Sequence, residues 1–189
     1  MGRADCDCVI LAAGLSTRMG RWKMVLPYGD STVIETAAAH ALSAVRRVIL
    51  VTGFRADEIE AVFAGNPEVI TCRNDEYRRG MFSSVRTGAA AVTSERFFLF
   101  PGDMPGIAPG TYTQLLRAEG APVVLPEYGG KSGHPVLLAG SVGKAILNEP
   151  SDSNLKRVLE RFPSVRVPVK DENILNDIDT PKDYHAGTV

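Results

Sequence analysis

The residues best suited to chemistry are a cationic loop near the start of the sequence and two aspartate motifs far downstream. The loop GLSTRMGRWKMVLPYG carries Gly14, Gly20 and Gly29 together with Arg18, Arg21 and Lys23. Glycines let backbone N–H groups approach an anion closely, and clustered cations add charge, so the loop reads as a cradle for phosphate. The run RFFLFPGDMP places Asp103 just after a buried, strand-like stretch, and NDIDTP presents Asp177 and Asp179. Hard carboxylate oxygens suit Mg2+, which takes one or two protein carboxylates and completes its shell with substrate phosphates and water. Asp103 is the expected first ligand. Asp177 or Asp179 supplies the second if its loop folds back over the first strand, although an aspartate in a turn can equally serve as a cap. GxxxxGK[ST] and GxGxxG are both absent, which argues against a P-loop ATPase and a dinucleotide-dependent dehydrogenase.

Short apolar runs alternate with segments of helical period, the pattern of a mostly parallel sheet with helices on both faces in a three-layer α/β fold. Strands are expected at CVILAA (8–13), RRVILVTG (46–53), EVITCR (68–73), RFFLFP (96–101), APVVLP (121–126), GHPVLLAG (133–140) and SVRVPV (164–169). Helices are expected over 31–45, 56–63, 80–93, 109–119 and 151–162, with a short last one ending near Tyr184. Ser31 or Asp30 would cap the first, Pro181 suits the start of the last, and Pro135 suits an edge or a strand end. Ligands of open α/β sheets lie beyond the carboxyl ends of the strands, where both the cationic loop and Asp103 fall.

With 189 residues, 44% hydrophobic and 23% charged, the sequence fits one globular domain spanning residues 1–189. Lys and Arg number 21 against 22 Asp and Glu, a net charge of −1, so there is no general basic field for nucleic acid. Cys6, Cys8 and Cys72 form neither a disulfide framework nor a metal-ligand pattern, which suits a reducing cytoplasm. The first apolar run is far shorter than the roughly 20 residues of a membrane span.

In order along the sequence stand LAAG (Leu11 to Gly14), the loop GLSTRMGRWK, GMFSSVRTG (Gly80 to Gly88), PGDMP, GHPVLL (Gly133 to Leu138) and NDIDTPKDY. This series resembles the MobA-like nucleotidyltransferase family over the whole chain. It is most similar to the MocA-type branch, the molybdenum cofactor cytidylyltransferases, through GHPVLL and through LAAG where guanylyl-transferring relatives carry LAGG. The resemblance implies that Leu11, Ala12, Ala13 and Gly14 line the base and ribose and that Arg18 and Lys23 hold phosphates. It assigns base recognition to the stretch bearing Ser83, Ser84 and Arg86, and Mg2+ to Asp103 and Asp179. It sets Gly133, His134 and Asp177 on the acceptor side. Trp22 and Met24 depart from the small or different apolar residues that often flank the lysine in relatives, which bears on the acceptor contacts.

The implied reaction moves a nucleoside monophosphate, CMP from CTP rather than GMP from GTP, onto a phosphorylated pterin and releases pyrophosphate. Lys23, Arg18 and Asp103 are its expected catalytic residues, and a molybdenum hydroxylase is a conceivable client. Such transfer relies on positioning and charge stabilisation. An acceptor phosphate with a second pKa near 6 needs no general base, in keeping with His40 inside a helix and His185 in the tail. His134 alone among the histidines has a motif context. Competing readings are a transferase for a sugar phosphate or methylerythritol phosphate, and a non-catalytic carrier of the molybdenum cofactor.

Overall fold

The computed structural model describes residues 2–187. Its ten strands are β1 (Ala4–Leu11), β2 (Pro27–Tyr28), β3 (Ser31–Thr32), β4 (Val45–Thr52), β5 (Val69–Arg73), β6 (Arg96–Pro101), β7 (Val123–Tyr128), β8 (Lys131–Ser132), β9 (Val136–Ala139) and β10 (Ser164–Pro168). Seven helices accompany them: α1 (Val33–Leu42), α2 (Ala56–Val62), α3 (Met81–Ala91), α4 (Pro109–Leu116), α5 (Gly140–Asn148), α6 (Leu155–Leu159) and α7 (Pro181–Gly187). The main sheet runs β10-β7-β9-β6-β1-β4-β5, with β8 added to β7. Pairing is parallel except where β9 meets β6 and β7 and where β8 meets β7.

The period-two pleat of β1 divides the core in two. Cys8 and Ile10 face a layer built from α1, α2 and α4, including Ile34, Ile59 and Tyr112. Val9 and Leu11 face α3, α5 and α6 through Val85, Ile146 and Val158. A strand covered on both faces must be apolar throughout, which is why β1, β4 and β6 read as nearly continuous hydrophobic runs. Among the described residues no helix is long and apolar enough to cross a membrane.

Several boundaries depart from the sequence reading for identifiable reasons. β1 begins at Ala4 and releases the chain at Leu11, so most of LAAG lies in the turn that follows the strand. Thr32, not Ser31 or Asp30, caps α1 through a reciprocal capping box with Glu35. The helix expected over 151–162 shrinks to α6, whose cap Asn154 accepts the Arg157 N–H. α5 was not anticipated, because Gly140 and Gly143 weaken its helical signal. Gly143 packs closely there, since a Cβ would stand 3.2 Å from the Phe97 ring. β9 is interior rather than at an edge, and Pro135 precedes its first residue, so the missing N–H costs no ladder bond.

Candidate active site

The carboxyl ends of β1 and β6 open onto a cleft of about 420 Å3. One wall is the chain leaving β1, including Leu11, Ala13 and Gly14, followed by Ser16 and Lys23. The opposite wall is the start of α3, with Gly80, Met81 and Ser84, and the short 3-10 turn before it, with Tyr77 and Arg78. Pro101, Asp103, Asp177 and Asp179 close the end.

Close backbone approach makes this geometry possible. Gly102 continues the β1–β6 ladder by donating to the Leu11 carbonyl at 2.9 Å, and a Cβ there would stand 2.8 Å from Ile34 Cδ1. Any side chain one residue before Asp103 would have to displace Ile34 and crowd the Leu11 carbonyl, so the glycine brings the carboxylate hard against the base of the lysine loop. The loop itself is anchored by burial. Trp22 and Met24 are buried on either side of Lys23, with the Trp22 ring edge-on to Phe54 and the Arg55 guanidinium 4.5 Å from its centre. The Lys23 N–H donates to Ser16 Oγ at 3.3 Å.

Lys23 therefore points inward although it is a lysine. Its ammonium donates to Asp103 Oδ2 and, at 3.2 Å, to Asp179 Oδ1. Asp103, Asp177 and Asp179 each bring a carboxylate oxygen within 4.8 Å of the others. Burial, reinforced by the negative charges of Asp179 and Asp103, raises the Asp177 carboxyl above the usual carboxylate range against the opposing pull of Lys23. Asp103 Oδ1 is buried without a hydrogen-bond partner. An orphaned carboxylate oxygen beside two further carboxylates is the donor set a hard divalent cation wants, so these residues fit such an ion.

The fold thus gathers Leu11, Ala13, Gly14, Lys23, Ser84, Asp103, Asp177 and Asp179 around one cleft. The other expected site residues stand elsewhere. Ala12 is fully buried, its N–H held by the Val51 carbonyl at 2.8 Å. Ser83 and Arg86 line a separate depression, because the Arg86 guanidinium donates to the carbonyls of Glu149 and Leu147 beyond α5 and at its end. Ser83 and Ser84 both accept from the buried Asn74 amide at 2.9 Å, which ties α3 to the turn after β5. Gly133 and His134 do not line the cleft. A Cβ on Gly133 would stand 2.1 Å from the Ile174 carbonyl oxygen, so this segment is packed against the 3-10 turn over 172–175. Burial lowers the His134 imidazole below its ordinary range, opposed by a hydrogen bond with the Leu99 backbone and by the charge of Asp103. The Arg18 side chain lies outside the described residues. Tyr77 and Arg78 were missed by the sequence reading, and the available signal was YRRG, a cation pair ahead of a glycine that opens a helix.

A family model described as MobA-like NTP transferase domain matches residues 8–167. The molybdenum cofactor cytidylyltransferase of Escherichia coli (strain K12) is 36% identical over 180 residues, which cover 94% of this chain and 93% of the relative. A nucleotidyl transferase from Methanothermobacter thermautotroptrophicus superposes with a TM-score of 0.85 at 25% identity, covering 97% of this chain and 95% of the other. A Mycobacterium tuberculosis H37Rv protein solved as a complex with manganese superposes with a TM-score of 0.79 at 25% identity, over 98% of both chains.

Proposed function

The chain belongs to the MobA-like NTP transferase family, and on that premise we propose that it moves CMP from CTP onto the phosphate of a molybdopterin-type pterin, releasing pyrophosphate. The observation that carries this reading is the meeting of Lys23, Asp103 and Asp179 at one sheet edge, from three distant parts of the sequence. Kinship with the E. coli cytidylyltransferase supports the choice of cytidine and pterin. We read residues 1–189 as one nucleotidyltransferase domain, since eight strands, with β1 and β10 among them, share the main sheet. A cytoplasmic setting suits the free thiols of Cys6, Cys8 and Cys72.

In this mechanism Leu11, Ala13 and Gly14 receive the base and ribose, facing Gly80, Met81 and Ser84 across the cleft. The N-terminal end of α3 turns the positive end of its dipole toward the nucleotide. An acceptor phosphate oxygen attacks the α-phosphorus in line. The bond from that phosphorus to the bridging oxygen breaks, and its electron pair leaves on pyrophosphate. Lys23, joined by Arg18 and by Arg78 from the far wall, holds phosphate oxygens in place. Mg2+ held by Asp103 and Asp179 would supply neutralisation of the charge that spreads over the phosphate oxygens. A phosphate monoester is largely dianionic at neutral pH, with a second pKa near 6, so no side chain has to remove a proton.

The test is pyrophosphate release by purified protein, with CTP and GTP each offered against molybdopterin, methylerythritol phosphate and sugar phosphates. Turnover is expected with CTP and molybdopterin, dependent on Mg2+. Preference for GTP, or turnover with a different acceptor, would replace that part of the assignment. An Asp103→Ala variant that supports client maturation at the normal rate would favour a carrier instead.

A further inference from the structure

Lys23 stands where a cation ligand set has been built. Its ammonium bonds the same two carboxylates, Asp103 and Asp179, that the proposed function gives to the metal. Lys23 is 7% exposed and Asp103 9%, so water screens this contact poorly. The lysine satisfies Asp103 Oδ2 alone and leaves Oδ1 buried with no hydrogen-bond partner. An ammonium and a divalent ion cannot share these oxygens without strong mutual repulsion. Without a cation, carboxylates this close would repel one another, so the ammonium has a role in the ligand-free protein.

We infer that Lys23 is an internal counter-ion that closes the metal position until a nucleoside triphosphate draws its ammonium away, so that the divalent ion enters with the triphosphate and not alone. The inference rests on the metal assignment made above. Triphosphate oxygens offer the ammonium a new anionic partner, and the four-carbon stem of lysine lets the charge move while the backbone stays pinned by Trp22, Met24 and Ser16. The two aspartates are thereby released at the moment the nucleotide delivers its own ion.

The test measures Mn2+ binding to nucleotide-free protein by titration calorimetry and by the paramagnetic resonance of unbound Mn2+. Lys23→Gln removes the charge at similar length and is expected to bind Mn2+ about tenfold or more tightly than wild type. Asp103→Asn in the Lys23→Gln background is expected to lose that gain. Equal or weaker binding by Lys23→Gln overturns the inference. Should Lys23→Gln fail to fold, wild type decides through the 15N resonance of the Lys23 ammonium, identified by its loss in Lys23→Arg. That resonance is expected to hold its position when Mg2+ is added alone and to shift when a non-hydrolysable CTP analogue joins it, and any other pattern overturns the inference. Tight Mn2+ binding by nucleotide-free wild type, with transfer activity intact, removes the counter-ion role and leaves the transferase reading standing. Failure of every form to bind Mn2+, with or without CTP, removes both.

Discussion

At the scale of single residues, the decisive feature is a lysine made to point inward. A buried ammonium is costly unless it is paired, and two carboxylates meet that cost here. Charge at this position therefore carries more free energy than it would on a surface. Asp103→Asn keeps the shape and removes one charge, which at 4 Å and an effective dielectric near 20 amounts to ~4 kcal/mol. We expect kcat/KM to fall about a thousandfold, with cooperative melting retained. Wild-type kcat/KM in that variant would take Asp103 out of the reacting centre. Asp103 could be picked out from the sequence because it ends an apolar strand, and Lys23 because it stands among the cations of the glycine-bearing loop. Arg86 could not be placed that way, since its partners are backbone carbonyls of Leu147 and Glu149, groups that every residue carries and that no side-chain pattern reveals.

At the scale of elements, charge also fixes the far end of the sheet, away from the cleft. Asp7 on β1 takes a bidentate contact from Arg47 on β4, at 2.9 and 2.8 Å, and accepts the N–H groups of Thr93 and Ser94 after α3. Burial alone would raise its carboxyl, but the Arg47 guanidinium and the two N–H groups more than reverse this and hold it below its ordinary value. A carboxyl with a depressed folded value contributes its stability in full above the unfolded value and loses it as pH falls through the folded one. We expect Asp7→Asn to cost about 3 kcal/mol at neutral pH, as for other broken buried pairs. The gap to wild type should narrow in denaturant melts repeated from about pH 5 downward. Because Asp7 lies four residues before Leu11 on β1 and does not line the cleft, kcat should be unchanged, and a fall in kcat without loss of stability would contradict this division of labour.

At the scale of the whole molecule, the downstream segment is laid across the lysine loop as a latch. Ile178 packs with Met19, Leu26 and Val33 in a small separate cluster, and its N–H donates to the Asp103 carbonyl at 2.9 Å. Tyr184 Oη reaches the Pro27 carbonyl at 2.5 Å. One apolar side chain thus sets the position of the next residue, Asp179. Ile178→Ala is expected to cost about 3 kcal/mol by the usual cavity reckoning. It should also raise the Mg2+ concentration needed for half-maximal turnover, which separates a displaced carboxylate from simple loss of stability. An unchanged Mg2+ requirement would show that Asp179 is held independently of the latch. The sequence by itself determined the layer architecture, because alternation and helical period follow from burial on one or two faces, and it marked the cationic loop and Asp103 as lying at the same end of the sheet. The tertiary structure alone decided that Asp177 and Asp179 lie beside Asp103, that Lys23 bonds two of these aspartates, and that Ser83, Arg86 and His134 stand outside the cleft. Those facts depend on contacts between residues far apart in the chain, whose energies no local pattern of spacing records.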